Sequence, residues 1–82
     1  MLFYFHFHNG VLTPDEEGRS FPDRAAALRA AQQDALGLAA AYVRQGYLDF
    51  SHYVEVTDSS GNCLFKVTFR DVVDVIGFTP GT

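Results

Sequence analysis

His6 and His8 stand two residues apart in a run of alternating side chains, and on an extended strand that spacing puts both imidazoles on one face. Neutral imidazole is a ligand for zinc and other divalent metals, and a third donor would complete such a site. His52, or a carboxylate from Asp15-Glu16-Glu17, is the candidate third donor once the chain folds. A divalent-metal or small-ligand site would therefore use His6, His8 and His52. The competing reading makes the two histidines the solvent side of a strand whose other side is phenylalanine.

Other chemistries find less support in the residues. Asp15-Glu16-Glu17 and Asp58-Ser59-Ser60-Gly61 both lack the alternating spacing of a calcium loop. No Gly-x-Ser-x-Gly elbow is present, and Ser20, Ser51, Ser59 and Ser60 fall in expected loops. Cys63 opens a strand on its apparent core side, which predicts a buried, inert thiol. The seven glycines are scattered and form no phosphate-binding cluster. No catalytic constellation is visible, so the chain reads as a non-enzyme, with a divalent metal as the one cofactor to consider.

The elements that must position these residues follow from periodicity. Leu2 to His8 sets Phe3, Phe5 and Phe7 against Tyr4, His6 and His8, a period of two that predicts a strand. Asn9-Gly10 is a hairpin turn pair, and Val11-Leu12-Thr13 returns as a short strand ended by Pro14. Pro22-Asp23 opens a helix of about 22 residues from Arg24 to Gln45, which Gly46 closes. Leu28, Ala31, Ala35, Leu38 and Tyr42 form its apolar stripe. Val54 and Val56 mark a strand, Asp58 to Asn62 a turn, and Cys63 to Phe69 the return strand. Asp71 is expected to cap a last helical turn through Val72, Val73, Val75 and Ile76.

The fold class is thus α+β: one long helix across a small antiparallel sheet, in the order strand, short strand, helix, strand hairpin, helical turn. Residues 1–78 form the single domain and 79–82 a tail. Phe3, Phe5, Phe7, Leu28, Leu38, Tyr42, Val54, Val56, Phe65 and Val67 are the expected core. Outside the helix stripe lie Leu36 and Val43, and further round lie the small residues Ala26, Ala30, Gly37 and Ala41.

The 82 residues are 48% apolar and 20% charged, an ordinary globular balance, with a net charge of −4. An acidic surface repels phosphate backbones, so nucleic acid is not an expected partner. No apolar run approaches the roughly 20 residues that span a bilayer, and no membrane partner is expected. The start lacks the basic segment of a signal peptide, and one cysteine suits a reducing compartment, so a cytoplasmic location is expected.

Together these segments resemble an uncharacterised family of small bacterial proteins, domain of unknown function 6894. The matching residues are Phe3-Tyr4-Phe5, His8-Asn9-Gly10, Asp15-Glu16-Glu17-Gly18 and Phe21-Pro22-Asp23. In the second half they are Val54-Glu55-Val56-Thr57-Asp58, Gly61 and Phe69-Arg70-Asp71-Val72-Val73. Asn9 stands where the family has Asp, and Phe21 where it has Leu. The resemblance implies a fold but supplies no activity, substrate or cofactor. The expected function is a small non-catalytic interaction module that acts on itself, as a homodimer, or on a protein partner. Leu36, Gly37, Ala41 and Val43 are the candidate interface.

Overall fold

The computed structural model describes residues 1–77. The expected boundary at residue 78 and the tail 79–82 lie outside them. In chain order the elements are β1 (Leu2–His8), β2 (Leu12–Thr13), β3 (Arg19–Ser20), α1 (Arg24–Arg44), β4 (Tyr53–Thr57), β5 (Cys63–Thr68) and α2 (Phe69–Val72). This is the expected α+β arrangement, with one strand more. The sheet is antiparallel in the order β2-β1-β4-β5, and β3 pairs separately with β1.

β3 carries no sequence signal of its own, because two residues cannot display a period. Its partners are Leu2 with Ser20 and Phe3 with Arg19, while β2 pairs Phe7 with Thr13 and His8 with Leu12. Alternate residues of a strand present their backbone groups to the same edge. Met1, Phe3, Phe5 and Phe7 therefore share the edge away from β4, and two short strands take its two ends.

α1 begins where Asp23 accepts a hydrogen bond from the Ala26 N–H at 2.8 Å. Its C-terminus is a Schellman closure: Gly46 N–H reaches Val43 O at 2.9 Å and Tyr47 N–H reaches Tyr42 O at 3.2 Å. Gly46 takes the left-handed φ of 99° that this closure needs. The helix buries Ala27, Ala31, Ala35 and Ala39 on the sheet. That row of alanines is the centre of its apolar side, whereas Leu28, Leu38 and Tyr42 flank it half-buried. Small residues let the helix axis lie close to Phe3, Val54, Val56 and Val67, which complete the buried core with Phe69.

Three expectations need correction. Phe5, Phe7 and Phe65 pack against the core but are only partly buried. The return strand stops at Thr68, because Thr68 accepts from the Asp71 N–H while Asp71 accepts from the Thr68 N–H. This reciprocal cap starts α2 at Phe69, buries that ring, and leaves Val75 and Ile76 exposed beyond the helix. Finally, an irregularity between Val56 and Thr57 shifts the β4–β5 register, and Cys63 stands exposed rather than in the core.

Candidate functional site

On β1 the side chains of Tyr4, His6 and His8 project from the face of the sheet opposite α1. Beside them on β4 stand Thr57, Glu55 and Tyr53, which pair in register with Tyr4, His6 and His8 respectively. His6 Nε2 lies 3.0 Å from Thr57 Oγ1, and His6 Nδ1 accepts from the backbone N–H of Asp15 at 3.0 Å. The second bond fixes the tautomer: Nδ1 is the acceptor, so Nε2 carries the hydrogen and donates to Thr57. His8 Nε2 meets Glu55 Oε1 at 2.9 Å, and its ring stacks on Tyr53 with centroids 4.3 Å apart. The ammonium of Lys66 lies 5.5 Å from the centre of the Tyr53 ring.

Charges on this face are matched locally. The His8 hydrogen bond holds the Glu55 carboxyl below its ordinary range despite partial burial, with the Cys63 thiol assisting. Although the residue is exposed overall, partial desolvation of the thiol and its hydrogen bond to the adjacent Glu55 push the Cys63 pKa up, so it is protonated near neutral pH. A protonated thiol is a poor nucleophile and a poor metal ligand.

His52 is not part of this group, which corrects the three-histidine expectation. Its imidazole is buried on the helix side, edge-on to Phe7, Tyr42 and Phe69 at 5.1–6.1 Å between centroids. Its Nε2 lies 3.4 Å from Asp49 Oδ2, and its Nδ1 has no hydrogen-bond partner among the described residues. The sheet itself separates it from His6 and His8. Among the described residues no three His, Cys, Asp or Glu side chains converge in a way that could hold a metal.

The acidic turn has a structural task instead. Asp15 Oδ2 accepts from the Phe5 N–H, and Oδ1 accepts from the Glu17 and Gly18 N–H groups, each at 3.1 Å. Burial raises this carboxyl, but the three N–H donors outweigh it and hold its pKa below the ordinary value. Gly18 follows with a φ of 74°, and a Cβ there would sit 3.0 Å from the Phe3 carbonyl oxygen. Only glycine satisfies both conditions.

Two surfaces remain open on the helix side. Leu36 and Val43 stand 51% and 55% exposed on the outward side of α1. Of the other expected interface residues, Ala41 is half-buried and Gly37 is exposed. Gly37 lines a separate groove of about 420 Å3 between β1 and α1, with Phe5, Phe7, Val54, Leu38, Asp34 and Gln33. Polar bridges cross from the β1 side to α1 nearby: Arg19 pairs with Asp34, and Asn9 Nδ2 donates to Tyr42 Oη at 2.7 Å. The Arg19 guanidinium also lies 4.0 Å above the Phe5 ring. Arg19 carried no signal in the sequence, since its role depends on the pairing of β3.

No helix among the described residues is long and apolar enough to cross a membrane. No curated protein and no solved structure matches the chain. The family model described as Domain of unknown function (DUF6894) matches residues 2–70, from β1 through the start of α2. The chain belongs to the DUF6894 family.

Proposed function

We propose that the chain is a non-catalytic interaction module of the bacterial cytoplasm whose outward helix side pairs with a second copy. A heterologous protein partner with a matching apolar surface would use the same residues. The observation that carries this reading is the exposure of Leu36 and Val43, which lie outside the core cluster of their own domain. Seven residues at about 100° each bring Val43 back to within about 20° of Leu36. Across an antiparallel two-fold, Leu36 of one copy faces Val43 of the other, and the exposed Ala40 lies near the axis. Alanine there lets the two helices approach closely, and the Leu–Val pairs supply the area withdrawn from water. Cys63 is free and exposed, a state that a reducing compartment maintains. The test is the oligomeric state of the wild type and of Leu36→Glu/Val43→Glu, by sedimentation equilibrium.

The metal reading finds less support in the geometry. Both nitrogens of His6 are engaged by protein groups, and the nitrogen of His8 nearest a carboxylate is bonded to it.

A further inference from the structure

We propose that the groove between β1 and α1 is a binding site for a small organic cation with an apolar body, of the arylalkylammonium class. This goes beyond the interaction surface above and involves different side chains, so either can fail without the other. Phe5, Phe7, Val54 and Leu38 are the apolar lining of the groove, whose volume of about 420 Å3 is within the range of small-ligand sites. Asp34 is the charged residue of the lining, and its partner Arg19 stands at the mouth, so a ligand cation that takes over this carboxylate is favoured over an anion of the same shape.

The protein itself displays the recognition chemistry at the mouth. The Arg19 guanidinium lies 4.0 Å above the Phe5 ring and pairs with Asp34 Oδ2. A cation held between an aromatic face and a carboxylate is therefore an arrangement these residues already make. A carboxylate has two acceptor oxygens, so a ligand ammonium can meet Oδ1 or displace the guanidinium from Oδ2. Gly37 supplies the room. It sits in the body of α1 without a positive φ, and nothing lies within 4 Å of where its Cβ would be. Neither a turn nor a contact within the chain calls for glycine there, and a bulky side chain would stand in the groove.

The test is titration of the full chain with phenethylammonium, followed by amide 1H–15N NMR shifts, with phenylacetate as the anion of matched size. The expected result is saturable shifts at Phe5, Phe7, Gly37 and Leu38 with a Kd of about 1 mM or tighter, and phenylacetate weaker by about tenfold. Gly37→Leu, whose Cβ meets no neighbour, abolishes the shifts while the rest of the spectrum stays folded. Asp34→Asn weakens the cation about tenfold and removes the preference over phenylacetate. Arg19→Gln, which frees the ring and the carboxylate, leaves the affinity unchanged or increases it. The proposal is overturned by absence of saturable shifts up to about 10 mM, by equal binding of the anion, or by full binding in Gly37→Leu. Equal weakening in Arg19→Gln and Asp34→Asn would assign the loss to the broken ion pair and likewise overturn it.

Discussion

Asp15 Oδ2 accepts a hydrogen bond from the backbone N–H of Phe5 at 3.1 Å, on the stretch of the β1 edge between the pairings of β2 and β3. The side chain thus stands in for a strand where the chain turns away. Asp15 thereby ties the turn at residues 15–18 to the sheet, with Gly18 allowing the close return to Phe3. Removing Asp15 leaves a half-buried N–H without its acceptor. Asp15→Ala should destabilise the domain by about 1–3 kcal/mol in chemical denaturation.

The same carboxylate contributes a pH dependence of known sign. Its pKa is lower in the folded chain than in the unfolded one, so its stabilisation is complete above the unfolded value near 3.9. It is lost as pH falls through the folded value. The stability gap between wild type and Asp15→Asn should therefore be constant from about pH 5 to 7 and shrink below about pH 4. Thermal unfolding of both proteins across that range checks it, and a gap that widens on acidification contradicts it.

Position along β1 sets how much each phenylalanine contributes. Phe3 is 1% exposed beneath the helix, whereas Phe5 lies half-buried at the groove. Phe3→Ala should cost about 3–5 kcal/mol and Phe5→Ala clearly less. Urea midpoints rank the two, and the reverse order would show that the helix covers a different part of the strand.

Gly37 offers the opposite sign. Its backbone is helical and an added methyl meets no neighbour, so Gly37→Ala should stabilise the fold by about 1 kcal/mol. In a domain of this size that raises the Tm by about 4–8 °C. A lowered Tm would reveal a packing role for the glycine.

For His6 and His8, calorimetric titration of metal-free protein with zinc should give no binding tighter than about 100 μM. Competition from Asp15, Thr57 and Glu55 for the imidazole nitrogens is the reason. Tighter binding that disappears in His6→Ala/His8→Ala would restore the metal reading.

Much of this fold is legible in the residues, and the exceptions share a physical cause. The alternation of Phe3, Phe5 and Phe7, the Asp23 cap and the Gly46 stop are local signals, and each marks its element. Ala27, Ala31, Ala35 and Ala39 are less visible as a core, since alanine is equally at home on any helix surface. β3 exists only because Arg19 and Ser20 meet Phe3 and Leu2, and the exposure of Cys63 follows from a register shift in a strand pair. Both are properties of pairing, not of the segment. Nor could periodicity place His52, which precedes β4 by one residue and turns its ring among Phe7, Tyr42 and Phe69.

In the proposed dimer the outward side of α1 pairs with a second copy through Leu36 and Val43. Sedimentation equilibrium from low to high micromolar concentration measures it directly. The expected result is a wild type approaching twice the chain mass, and a Leu36→Glu/Val43→Glu variant that stays at one chain mass with its Tm preserved, because both side chains are exposed. A wild type that remains at one chain mass throughout, or a double variant that still doubles, would contradict it.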